Sequence, residues 1–214
     1  MADALVIAVV GAESTGKTAL CRELAGHLAA TTGRRCTWVP EALRDWCQAQ
    51  GRTPRRHEQA VIADAQTARI DEAAAVHDVV VADTTAVMTA VYSQIVFGDA
   101  SLHAAAALAH RRCQVTLLTA LDLPWVADGL QRDGPQVQEP VDTALRKLLL
   151  QHGIGFSLVH GHGPLRLRTA LVALSSWLGP VADDPDAATR HRRWRQLCER
   201  CSDPACEHAS LLSG

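Results

Sequence analysis

Between an apolar run at residues 4–10, ALVIAVV, and a helical stretch that begins at residue 17 stands the octet GAESTGKT, residues 11–18. A short β-branched run reads as a buried strand. KTALCRELAGHLAATT places Leu20, Leu24 and Leu28 at helical spacing, and Gly33 follows as a stop. A strand that must turn into a helix through a glycine-bracketed loop leaves few folds open. Gly11, Gly16, Lys17 and Thr18 satisfy G-x-x-x-x-G-K-[ST], a loop whose backbone N–H groups face a phosphate. The two glycines allow close backbone approach, and the helix start adds its positive end. Of the 21 basic residues only Lys17 and Lys147 are lysine, so lysine here is a choice. A compact ammonium reaches β- and γ-phosphates where a planar guanidinium has the wrong shape. Residues Gly11, Ala12, Glu13, Ser14, Thr15, Gly16, Lys17, Thr18 and Ala19 are the candidate nucleotide-binding set, with Thr18 a magnesium ligand through its hydroxyl. The bland alternative is a strand–helix turn with no ligand.

The pattern continues along the chain. CTWVP, DVVVADTT, QVTLLTAL and GFSLVHG read as further strands; residues 41–50, 55–76, 85–97, 100–112, 141–153 and 164–178 read as helices. Strands alternating with helices predict an α/β fold, a parallel sheet of about five strands with helices on both faces. DLPWVADGLQRDGPQVQEP, rich in Gly and Pro, reads as a loop or moving segment. GPVADDPDAA reads as a linker. The expected division is therefore an α/β domain with a phosphate-binding P-loop at 1–180 and a linker with a Cys/His-rich tail at 181–214.

A formal charge of −2 argues against a general nucleic-acid coat or a polybasic membrane anchor. No apolar run approaches the roughly 20 residues of a spanning helix, and the start lacks the basic residues of a secretory signal. A cytoplasmic location is expected. Cys21, Cys36, Cys47 and Cys113 sit among apolar or helical neighbours and read as buried thiols; His57, His103, His110 and His152 read as surface or loop residues.

Asp83 ends the strand VVVAD. Ligands of such sheets collect at strand C-termini, so its carboxylate suits a magnesium site shared with Thr18. The alternative is a helix cap by Asp83 or Thr84.

These residues together resemble the NadR-like P-loop kinase/ATPase family, whose named activity is ribosylnicotinamide kinase. GAESTGKT is similar to its G-x-E-S-x-G-K-[ST] loop; WVPEALRDW to its segment after the second strand, at Glu41, Arg44 and Asp45; ADTTAVMTAVY to its Asp-Thr strand end; and DLPWVADGLQRDG to its lid, at Trp125, Asp128 and Gly129. The likeness runs from about residue 4 to about 178. The family's lid arginine falls on Gln131, and Arg132 stands one place later. The resemblance implies ATP and Mg²⁺ as cofactors, and phosphoryl transfer to a small metabolite, nicotinamide riboside giving its mononucleotide. In this reading Lys17 and Arg132 neutralise phosphate charge, Asp83 and Glu41 act on metal and hydroxyl, and Glu41, Arg44, Asp45, Trp125 and Asp128 face the acceptor. Glu41 also reads as a first-turn acid paired with Arg44 at (i, i+3). Trp125 reads equally as a stacking face for a cationic ring or a lid anchor. The rival functions are a P-loop ATPase or ATP-binding regulator without metabolite kinase activity, and a nucleotide-sensing adaptor.

The tail carries CERCSDPACEH. Cys198, Cys201, Cys206 and His208 match a structural zinc site in ligand type, the alternative being a reduced, unfolded tail. Such a clip would give the tail a protein partner or an oligomer contact. RHRRWRQ just before it is a single basic turn, a weak signal for nucleic acid.

Overall fold

The computed structural model describes residues 4–126 and 134–178. Strands β1 (Leu5–Val10), β2 (Cys36–Val39), β3 (Val79–Asp83), β4 (Val115–Thr119) and β5 (Ser157–Val159) form one sheet in the order β2-β3-β1-β4-β5. Every pairing is parallel; β1 is central, with Ala8 beside Ala82 on one side and Thr116 on the other. The helices are α1 (Lys17–Thr32), α2 (Ala42–Gln50), α3 (Gln59–Val76), α4 (Ala86–Phe97), α5 (His103–His110), α6 (Gln138–Gln151) and α7 (Pro164–Ala173). A parallel sheet needs helical crossovers and burial on both faces. Hence β1, β3 and β4 read as continuous apolar runs, buried at every position.

Ala8, Val10 and Leu118 of the sheet pack with Val87, Met88 and Val91 of α4 and with Leu145, Leu148 and Leu149 of α6. Val6, Val80 and Ala82 pack with Ile70 of α3. α1 lies against β1, β2 and β3 and touches α7. Its Leu20, Leu24 and Leu28 are at most 2% exposed, each burial contributing about 2 kcal/mol. The helix that carries Lys17 is thereby fixed to the sheet over about two turns.

Several boundaries differ from the sequence expectation. β5 shrinks to three residues, with Gly155 and Gly161 outside it, and pairs with β4 alone. α6 starts three residues early, at Gln138, with Pro140 in its first turn, where no helical N–H partner is lost. α5 is shorter at both ends, and α7 stops at Ala173. The chain divides after Leu174 into two units; of the second, the described part is α8 (Ser175–Leu178). No helix among the described residues is long and apolar enough to cross a membrane. Cys21 and Cys47 are buried and Cys36 and Cys113 partly so. His110 corrects the sequence reading: it is 2% exposed. The alanine-rich face of α5 carries it inward, where Thr85 and Thr116 hold its ring nitrogens.

Candidate functional site

The loop after β1 turns on left-handed backbone. Gly16 opens α1 at φ 73, and Ser14 holds φ 55 without being glycine. A Cβ on Gly11 would run into the Thr119 hydroxyl at the end of β4. That close approach is what Gly11 permits. The Thr119 hydroxyl donates to Val10 O at 3.2 Å and lies 2.7 Å from the Thr15 hydroxyl, which donates to Ala12 O at 2.8 Å. Arg166, buried on α7, braces the loop from behind. Its guanidinium donates to Thr15 O at 2.7 Å, Gly161 O at 2.8 Å, Ala120 O at 3.3 Å and the Asp122 carboxylate at 2.8 Å. Gln138 donates to Glu13 O at 2.6 Å from the start of α6. The loop's outer rim is therefore tied at both ends to side chains from distant parts of the chain. The Lys17 ammonium folds back over the loop and donates to Ala12 O at 2.7 Å.

Thr18, one residue further, donates to Asp83 Oδ2 at 2.5 Å. Asp83 is 1% exposed, and its Oδ1 is buried with no hydrogen-bond partner among the described residues. Burial raises the carboxyl above its ordinary pKa, against the lowering pull of Thr18 and Lys17. The cap of α4 is Thr85, so Asp83 does not serve as its cap. Between them Thr84 holds φ 69, a conformation a β-branched residue rarely adopts. Strain of this kind collects at functional sites.

Glu41 precedes α2, and its side chain is 11% exposed without capping the helix. Burial raises its pKa, Lys17 pulls it down and Asp83 pushes it up. Those mutual effects put Glu41, Lys17 and Asp83 within one electrostatic neighbourhood, at the C-terminal ends of β1, β2 and β3. Arg44 lies 3.8 Å from Glu41, the (i, i+3) pair that the sequence suggests. Asp45 goes elsewhere: it pairs with Arg69 of α3 at 2.6 Å. Both line a groove of about 450 Å³ beside edge strand β2, whose walls include neither Lys17 nor Asp83. On the other side of the loop, the Ser14 hydroxyl donates to Val126 O at 2.5 Å. The neighbouring Trp125 has a buried indole N–H without a hydrogen-bond partner among the described residues. Asp128 and Arg132, and the tail set Cys198, Cys201, Cys206 and His208, lie outside the described residues. Among the described residues no group of three His, Cys, Asp or Glu side chains is placed to hold a metal.

Thr119, Gln66, Gln138, Asp122 and Arg166 escape sequence reasoning. Each acts through a contact far along the chain; Asp122 and Gln138 fall within the Gly- and Pro-rich segment 122–140, yet nothing in its pattern marks them.

Residues 6–166 match the sequence model of an AAA-domain family. The chain belongs to that family. No curated protein matches it. A solved structure of NadR protein in complex with NR is similar to it, with TM-score 0.69 and 18% identity over 85% of this chain and 54% of the other. NadR protein in complex with NAD and AMP-PNP gives 0.65 and 18% over 84% and 51%. The AAA-domain chain thus spans about half the length of the NadR chains it matches. At this identity the likeness concerns the fold alone, a P-loop NTPase-like parallel sheet with helices. The resemblance drawn from the sequence motifs holds at that level.

Proposed function

We propose that the chain transfers the γ-phosphoryl group of ATP to a hydroxyl of a small metabolite, with nicotinamide riboside as the acceptor. The observation that carries this reading is the Thr18–Asp83 pair, with its unpartnered Asp83 Oδ1, beside Lys17 and Glu41. A hydroxyl and a buried carboxylate are hard oxygen donors, and an unsatisfied buried oxygen calls for a cation. This donor set fits Mg²⁺, which binds through few protein oxygens plus phosphates. Thr18 and Asp83 would hold the ion, which supplies charge neutralisation on the phosphates. Lys17 would leave Ala12 O for the β- and γ-phosphates, while the loop's N–H groups and the start of α1 cradle them. Phosphoryl transfer asks the protein for positioning and charge, and little covalent chemistry. Glu41 would take the proton of the attacking hydroxyl as the new O–P bond forms and the bond to ADP breaks. A carboxyl with a raised pKa is a better match to that task than an ordinary one. Arg44 would orient Glu41, and Trp125 would offer its face to the acceptor's ring.

From the sequence, Asp128 and Arg132 are candidates to reach the acceptor and the transferring phosphate. Cys198, Cys201, Cys206 and His208 would form a structural zinc clip separate from this chemistry. Support for the acceptor is the family resemblance and the fold shared with the NadR complex containing NR.

The test is a panel of nucleosides, nicotinamide riboside included, incubated with purified chain, ATP and Mg²⁺ and read by mass. The expected result is the mononucleotide and ADP in equal amounts. Another nucleoside product would keep the kinase and replace the acceptor; ADP without any phosphorylated acceptor would favour an ATPase.

A further inference from the structure

Gln66 lies in the middle of α3 and is 2% exposed. Its Oε1 accepts the Ala42 N–H at 2.6 Å, and its Nε2 donates to Thr84 O at 3.3 Å. The two partners fix the amide's orientation, since a turned amide would aim donor at donor and acceptor at acceptor. Ala42 opens α2, whose first N–H groups have no partner within the helix. Glu41, the residue before it, makes no side-chain cap hydrogen bond, and the Ala42 N–H goes to Gln66. Thr84 is the strained residue at φ 69 that follows Asp83; its N–H donates to Val9 O at 3.0 Å. One buried amide thus spans from the residue after Glu41 to the residue after Asp83.

We infer that Gln66 is a positioning residue that holds Glu41 and Asp83 in a single frame, so that the proton acceptor and the metal carboxylate keep their separation. The inference rests on the kinase reading above. The β2–β3 pairing ends with Val39 beside Ala82, and past it the two segments carrying Glu41 and Asp83 are joined by the Gln66 amide. Its loss leaves a buried N–H and a buried carbonyl unpaired and frees Thr84 to relax from the left-handed conformation. A small misplacement of reacting groups costs rate far more than it costs binding. Gln66 contacts no loop residue through either hydrogen bond, so nucleotide affinity is independent of it.

The experiment is a double-mutant cycle on the full chain with Gln66→Met, an apolar side chain of like length, and Glu41→Gln. Readouts are kcat for the acceptor found active, ATP affinity by a fluorescent nucleotide analogue, and amide hydrogen exchange at Ala42. Gln66→Met is expected to lower kcat about ten- to a hundredfold and to speed exchange at Ala42, with ATP affinity within about twofold of wild type. In the Glu41→Gln background the same change should cost little more, because the group being positioned is gone. Undiminished kcat, or the same factor in both backgrounds, overturns the inference. Should Gln66→Met fail to fold, Gln66→Glu is read by kcat, ATP affinity and amide exchange of the α4 start rather than at Ala42, since it keeps the acceptor for Ala42 and loses the donor to Thr84. A wild type that phosphorylates no acceptor sinks the kinase reading. Ala42 exchange that is equal in wild type and variant then sinks the bridge itself.

Discussion

Acidification should weaken this protein through His110 before its surface carboxylates matter. The ring lies between the Thr85 and Thr116 hydroxyls, 2.8 Å from each, and burial alone lowers its pKa to about 4. An unfolded chain returns it to its ordinary value near 6.5. Between those values the unfolded state holds the proton and the folded state does not, so stability rises with pH across that window. The contribution is complete above about 6.5 and is lost as pH falls toward 4. At about 1.4 kcal/mol per unit this amounts to roughly 3 kcal/mol. Arg52 and Arg35 hold the carboxylates of Glu58 and Asp78 near 2, and Arg56 holds that of Asp99 well below the ordinary carboxylate range, so their losses fall at lower pH. Glu41 and Asp83, with raised values, contribute a slope of opposite sign that wild type and variant share. Urea unfolding of wild type and His110→Asn at half-unit steps from pH 7.5 to 4.5 isolates the difference. The wild type should lose stability faster with acid, and the variant, though weaker at pH 7, should show a flatter profile over that range. Parallel profiles would refute the assignment of the slope to His110.

Lys17→Ala should weaken ATP binding by at least about tenfold while far-UV circular dichroism stays unchanged, since Nζ gives one hydrogen bond to the fold and should give its charge to the phosphates. Arg166→Ala should cost roughly 2–4 kcal/mol in denaturant unfolding, because it strands the buried carbonyls of Thr15 and Gly161; ATP affinity should fall with it. Elemental analysis of untagged protein should find zinc near one equivalent, removable with residues 186–214 without loss of ATP binding. Zinc far below that, with freely titratable thiols, would leave the tail without a clip.

What the sequence discloses here is what short-range pattern encodes. β1, the loop and α1 are contiguous, and their apolar spacing, glycines and lysine announce them together. Asp83 is legible because a strand's end is legible, and the Glu41–Arg44 pair because helical spacing dictates it. Contacts between distant residues are not. Nothing near Arg166 says that it will reach Thr15, and nothing near Gln66 says that it will join Ala42 to Thr84. Asp45 matches a family position, yet Arg69 on the adjacent helix draws it to the β2 groove. His110 looked solvent-facing because a polar residue in an alanine-rich helix has no marked side until α4 and β4 supply two hydroxyls. The trimmed β5 follows from its edge place, where glycines on either side end the pairing.

The central claim is that Thr18 and Asp83 hold the metal of a bound nucleotide. Electron paramagnetic resonance of Mn²⁺, titrated with the non-hydrolysable analogue AMP-PNP present, measures it directly. Wild type should take up the ion stoichiometrically, and Asp83→Asn should bind it about 10- to 100-fold more weakly, with the nucleotide itself still bound in the absence of metal. Equal Mn²⁺ affinity in the two proteins would contradict the account and return Asp83 to a structural partner of Thr18.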